Sequence, residues 1–230
     1  MKYIPSIAFE EMSGSAKGVT AAKVKNRKYL RNRGYGGSVR TSDQATVKGI
    51  FKRLTTMWRS LTNEQILAWN KLALSQEAKS VLGTKGKISG ANLFTRLNYW
   101  IVACGGSAVT MPPTLVGVEN PGECEIVCTG SAFTFKLKTV PAEVTNLKLV
   151  IEATEGQSNG VSRAYSKASQ IKMVGTINTP AVDIKSDYEA KNGVLGAGAP
   201  KVFFRYYFVN SVTGEKSAAM LADAVWTAGE

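Results

Sequence analysis

The most pronounced chemical pattern in this sequence is a set of cations. Under strand periodicity, Lys23, Lys25, Arg27, Tyr29, Arg31 and Arg33 fall on one face of residues 23–33, and Val24, Asn26, Lys28, Leu30 and Asn32 on the other. Same-face neighbours on a strand repeat every ~6.6 Å, comparable with the phosphate repeat of a nucleic-acid strand. Such a face can track an anionic backbone, pair with carboxylates of a neighbouring subunit, or lie in solvent. With Arg40 added, the expected partner-anchoring residues are Lys23, Lys25, Arg27, Arg31, Arg33 and Arg40.

Other chemistries are poorly supplied. The chain has no histidine, which removes Ser-His-Asp, Cys-His and His-rich metal sites. Cys104, Cys124 and Cys128 are an odd set with few companion ligands, so they are expected to be reduced, partly buried thiols. Gly34-x-Gly36-Gly37 and Gly193-x-x-Gly196-x-Gly198 lack the strand, spacing and helix of a dinucleotide site. Gly86-Lys87 before Ser89 fails as a phosphate loop, because Val81 stands where a glycine is needed and Ile88 follows the lysine. Asp183 and Asp187 share a face of an expected strand, where they read as a solvated surface and not as a glycosidase pair. No catalytic, cofactor-binding or metal residues are expected, and the chain is read as a non-enzyme.

The charge is unevenly placed. The 230 residues carry a net +12, distributed as +7 over residues 1–40, +6 over 41–110 and −1 over 111–230. A basic part joined to a near-neutral one points to an acidic partner for the first part, either nucleic acid or an acidic protein surface. No run approaches the ~18–20 apolar residues of a membrane span. The apolar stretch before Glu10 and Glu11 is too short for a secretory signal, so synthesis in a cytoplasm and no membrane partner are expected.

The elements that must carry these charges follow from composition and period. Residues 1–40, rich in Gly, Ser, Lys and Arg, read as an extended basic arm. Residues 41–110 read as a helical anchoring module. Thr41 to Gln44 and Thr62 to Gln65 both fit the capping box, in which a hydroxyl and a later side chain each satisfy a backbone donor. Val47, Ile50, Phe51, Leu54, Met57 and Trp58 form an apolar stripe on the first helix, and Ile66, Trp69, Leu72 and Ala73 one on the second. A third helix starts near Ser89, buries Leu93, Phe94, Leu97, Trp100 and Ile101, and stops at Gly105 and Gly106. The second helix has too few base-reading side chains for sequence-specific DNA recognition.

Pro112 and Pro113 mark a linker. Residues 111–230 then show period-2 segments at 123–129, 131–139, 146–154, 169–176, 182–188, 201–210 and 218–227. Seven short strands at this spacing imply an all-β sandwich of immunoglobulin or fibronectin-III kind. The expected fold class is therefore α+β in parts: extended arm, three-helix module, β-sandwich.

Arg40, Gln44, Trp58, Leu61, Thr62, Gln65 and Trp69, followed by Ala73, Ser89, Gly90, Leu93, Phe94, Asn98, Gly105, Gly106, Pro112 and Pro113, carry a recognisable pattern. It reads W-x-x-L-T-x-x-Q-x-x-W, then S-G-x-x-L-F-x-x-x-N, then a glycine pair and a proline pair. Over residues 14–113 it resembles a family of uncharacterised proteins of tailed phages and prophages of Bacteroidetes hosts, the crAss-like phage type being one candidate source. The chain departs from the pattern at Val39-Arg40, where an aromatic residue would precede the valine. The resemblance implies a virion structural protein. Combined with the charge distribution, it leads to the expectation of an auxiliary capsid or decoration protein, present in many copies and partnered by the major capsid protein. The alternatives are a neck, portal-vertex or tail connector component and a non-specific nucleic-acid binder packaged in the particle.

Overall fold

A computed structural model of the chain describes residues 13–24, 27–32, 41–78, 86–141, 144–175, 177 and 181–228. The fold is mixed α+β, with antiparallel sheets and four α-helices among the described residues. It divides into two compact units, Met1–Leu93 and Phe94–Glu230.

In the first unit β1 (Gly14–Ala16), β2 (Val19–Val24) and β3 (Arg27–Asn32) form a three-stranded antiparallel sheet in that order. The β1–β2 link is Lys17-Gly18, with φ of 35° and 91°. Positive φ at both positions is the type I′ geometry whose twist matches paired strands, and glycine adopts it without steric cost. This sheet replaces the single extended strand expected over 23–33. β2 and β3 are antiparallel neighbours joined through residues 25–26, which lie outside the described residues, as do Arg33 and Arg40.

α1 (Ser42–Arg59) begins at Thr41, whose hydroxyl accepts from the Gln44 N–H at 3.2 Å. α2 (Asn63–Leu74) begins with the full capping box: the Thr62 N–H donates to Gln65 Oε1 at 2.9 Å, and the Gln65 N–H donates to Thr62 Oγ1 at 3.4 Å. Leu54, Leu61, Trp69, Ala73 and Leu93 are buried in this unit. The stripe expected on α1 is covered only in part, since Leu54 alone is fully buried and Phe51 is 43 % exposed. β4 (Glu77–Ala78) and β5 (Gly86–Lys87) make a two-residue ladder before α3 (Gly90–Ala103).

α3 starts in the first unit and ends in the second, so the division falls at Leu93/Phe94 rather than at the proline pair. Side chains explain why. Trp100 meets the Tyr207 ring edge-on at 5.7 Å, Cys104 contacts Met173, and Lys148 donates to the Cys104 carbonyl at the end of α3. A cation there answers the negative end of the helix. Gly105 N–H to Val102 and Gly106 N–H to Ile101 close the helix in a Schellman arrangement. The segment after it is held as well: Glu215 accepts from the Val116 and Gly117 N–H groups at 3.0 and 3.1 Å.

Among its described residues the second unit has seven strands: β6 (Cys124–Cys128), β7 (Phe133–Leu137), β8 (Leu147–Ala153), β9 (Ser169–Val174), β10 (Val182–Asp183), β11 (Lys201–Asn210) and β12 (Met220–Val225). One sheet has the order β10-β7-β6 and the other β12-β11-β8-β9, all antiparallel. Phe133, Phe135 and Leu137 of the first sheet share one core with Leu149, Ile151, Phe204, Tyr206 and Phe208 of the second. Edge-on contacts of Phe133 with Phe204 at 5.7 Å and of Phe135 with Tyr206 at 5.1 Å join them.

The unit is not all-β. The segment expected as a strand over 182–188 turns after Asp183 into α4 (Lys185–Asn192), whose Tyr188 is fully buried. Asp183 Oδ1 accepts from the Lys185 N–H at 2.9 Å, a local side-chain bond that competes with ladder pairing and ends the strand.

Candidate functional site

The sequence places its anchoring cations on residues 23–40. Of these, Lys23, Arg27 and Arg31 fall on described backbone, and Lys25, Arg33 and Arg40 lie outside it. The hairpin register pairs Lys23 with Lys28, Ala22 with Tyr29 and Thr20 with Arg31. Position 23 therefore shares a face with 28 and 30, and positions 27, 29 and 31 occupy the other face. That divides the single cationic face expected for a continuous strand. The reason is parity: a two-residue link pairs odd positions of β2 with even positions of β3, whereas an unbroken strand keeps odd with odd. Lys28, assigned to the minor face by sequence, joins Lys23 on one side, and both sides of the sheet carry positive charge.

None of the side chains described in β1–β3 is buried; Lys23 and Arg31 are exposed. Between Glu11 and Asp43 the sequence has eight basic residues and no acidic one. Directly opposed like charges such as Lys23 and Lys28 cost a sheet stability in water, and an anionic surface alongside reverses the sign.

A second basic surface lies on α1. Lys48, Lys52, Arg53 and Arg59 are exposed on this helix. Lys52 and Arg53, with Gly49, Thr56, Met57 and Ser60, line an open hollow of about 510 Å³. Gly49 is exposed on this 18-residue helix with open space where a Cβ would stand, and glycine there costs roughly 1 kcal/mol relative to alanine.

The second unit concentrates its polar interactions differently. On the face of β11 and β8 beside the end of α3, Glu152 is 7 % exposed and accepts from Arg205 Nε at 2.5 Å and from the Tyr207 hydroxyl at 2.6 Å. The Lys216 ammonium sits 3.3 Å from the Tyr207 ring centroid and 5.6 Å from that of Trp100. Burial pushes the Lys216 ammonium below the ordinary lysine range, with Glu152 opposing that shift and Arg205 adding to it. Burial, then the bond to Glu152, pushes the Tyr207 phenol up. Every charged group here already has a partner, so the cluster ties α3, β8 and β11 together without offering a free acid or base. Sequence reading missed it because Glu152, Arg205 and Tyr207 are alternate residues of two strands, brought together only by the β8–β11 register.

The remaining candidates are also engaged. Asp187 pairs with Lys172 at 2.6 Å, and Lys172 also donates to the Asp183 carbonyl at 2.9 Å. Asp187 on α4 and the Asp183 carbonyl on β10 thus converge on one lysine of β9, while the Asp183 carboxylate is engaged by the Lys185 N–H. A cavity of about 240 Å³ lies among Thr129, Phe133, Lys185, Tyr188, Glu189 and Trp226. Lys185 there donates to the Gly130 carbonyl at 2.7 Å. Cys104 and Cys128 are buried, Cys124 is half-buried, and all three are free thiols. Burial raises each of them, Cys128 to about 11, which keeps them unreactive at neutral pH. Set against protein-family models, curated proteins and solved structures, the chain matches no family model, no curated protein and no solved structure.

Proposed function

We propose that the protein is a phage virion structural component without enzymatic activity. In this reading it is an auxiliary capsid or decoration protein, located in the virion, anchored through its basic N-terminal half and displaying its C-terminal unit. The observation that carries this reading is the sheet β1–β3. It has uniformly positive charge and no buried side chain among those described. A small sheet with no buried side chain among those described is marginal in water by itself, and acidic neighbours around it would add packing and further counter-charge. Ordering such a segment costs chain entropy, which is tolerable when many copies bind one lattice.

The strand partition of the C-terminal unit supports a displayed sandwich. Its first, second and fifth strands make one sheet, and its third, fourth, sixth and seventh make the other. That partition is compatible with a fibronectin-III-like Greek-key sandwich carrying α4 before its sixth strand, and it is in this sense that it supports the reading. The Trp-Leu-Thr-Gln-Trp pattern of α1 and α2, resembling that of phage proteins, supports the same reading.

Mass spectrometry of purified particles tests it directly. Tens to hundreds of copies per particle are expected for decoration, and about 6 to 12 indicate a connector ring at the neck, portal vertex or tail. Arg27→Glu with Arg31→Glu is expected to abolish incorporation while the free chain keeps its helical and β signal. Full occupancy of the double variant overturns the reading. Non-specific nucleic-acid binding is the second reading, favoured by positive charge on both faces of the sheet. It demands a fall of orders of magnitude in duplex affinity between ~50 and ~200 mM salt, and absence of binding at low salt removes it.

A further inference from the structure

The outward face of α2 is built unlike an ordinary solvent face. At 100° per residue, Glu64, Leu67, Lys71 and Leu74 fall within a sector of about 80°, opposite the buried Trp69 and Ala73. An amphipathic helix of this length normally keeps that sector polar. Here Leu67 is 66 % exposed and Leu74 61 % exposed. Glu64 and Lys71 are exposed beside them, and neither has an ion pair or side-chain hydrogen bond within the described residues.

We infer that this face docks on the same face of a second copy of the chain, with the two α2 helices antiparallel about a two-fold axis. The charges select both occupant and direction. Glu64 lies in the first turn and Lys71 in the last, two helical turns apart on one flank. In an antiparallel pair each flank meets its own counterpart running the other way. Glu64 of one helix then lies within a turn of Lys71 of the other, and the contact occurs twice. Leu67 inserts between Leu67 and Leu74 of the second copy. A parallel two-fold pair would set the Glu64–Lys71 flank against the Leu67–Leu74 flank of the other copy, losing both contacts. A two-fold interface requires such a self-complementary patch.

The contact is small. Two 12-residue helices bury well under the ~1,200 Å² of stable specific interfaces, so the pair forms at high local concentration and adds strength only where copies are already gathered. This pairing does not depend on the proposed virion role, because it is a property of the free chain.

Sedimentation velocity of the full chain from about 10 to about 500 µM tests it, with reversible growth of a dimer expected toward the upper end. Leu67→Gln, an exposed change that leaves the helix intact, is expected to weaken the dimer by about tenfold or more. Glu64→Lys alone is expected to weaken it, and Glu64→Lys with Lys71→Glu to restore it. A monomer throughout the concentration range, a Leu67→Gln dimer equal to the parent, or failure of the charge exchange to restore association each overturns the proposal. Failure of particle incorporation with this dimer intact would count against the virion role alone.

Discussion

Two antiparallel sheets of this chain stand at opposite extremes. The β12-β11-β8-β9 sheet keeps seven of the ten residues of β11 buried, with aromatic residues on both of its faces. The β1-β2-β3 sheet is comparable in hydrogen-bonding pattern, yet none of its described side chains is buried. Backbone pairing is therefore common to both, and side-chain burial is what differs. A ladder of hydrogen bonds exchanges protein partners for water and gains little net, while removal of apolar surface from water carries most of the stability. The first sheet is self-sufficient. The second lacks that burial among its described side chains, and it lies in the part of the chain that carries the charge excess, +13 over residues 1–110 against −1 over the rest.

The comparison can be broken most severely at Phe204, fully buried and in ring contact with Phe133 and Phe135. Phe204→Ala is expected to cost about 3–5 kcal/mol in denaturant unfolding of the second unit. A loss below about 1 kcal/mol would show that the two sheets do not share a tight core.

A smaller effect is expected from pH. Burial raises Cys128 from 9.0 to about 11 in the folded chain, so the unfolded thiol releases its proton first as pH climbs. The stability tied to Cys128 is fully present below pH 9 and is lost as pH rises through about 11, a change of at most about 2–3 kcal/mol. Cys128→Ala should flatten that part of the stability profile, and an unchanged slope would assign the alkaline loss to other groups.

The least effect belongs to the basic sheet. Val19→Ala, at a position 43 % exposed, should change unfolding of the free chain by under about 0.5 kcal/mol. Protection of the β1–β3 amides from hydrogen exchange should be weak in the free protein and rise when an anionic partner is bound. Strong protection in the free chain would place this sheet in the same class as the larger one and remove the contrast.

Much of the architecture is legible in sequence because its determinants are local. The two Thr-to-Gln capping signals mark the starts of α1 and α2, since a cap is decided within four residues. The strand segments expected at 123–129, 131–139, 146–154, 169–176, 201–210 and 218–227 each contain an observed strand, because alternation reports a half-buried ladder whatever its neighbours. Asn98 was visible only as the end of a motif. In the structure it is fully buried, donates to the Phe94 and Val109 carbonyls at 3.1 and 3.2 Å, and accepts from the Val109 N–H at 2.6 Å. An asparagine between apolar positions says only that a polar partner exists, and the partner, eleven residues away on an irregular segment, has no periodic signature.

What the sequence alone determined is the inventory: no imidazole, a basic first half, capped helices, seven strand-forming runs. Those are properties of composition and of windows shorter than one element. Tertiary structure decided which of them meet. It folded 14–32 back on itself and so separated Lys23 from Arg27 and Arg31, and it turned Lys185–Asn192 into a helix. It also carried the end of α3 into the second unit, and closed Glu152, Arg205 and Tyr207 into one cluster. Each of these depends on pairing between residues distant in the chain or on reversal at a link, and such encounters are selected by the free energy of the whole unit, which no local pattern encodes.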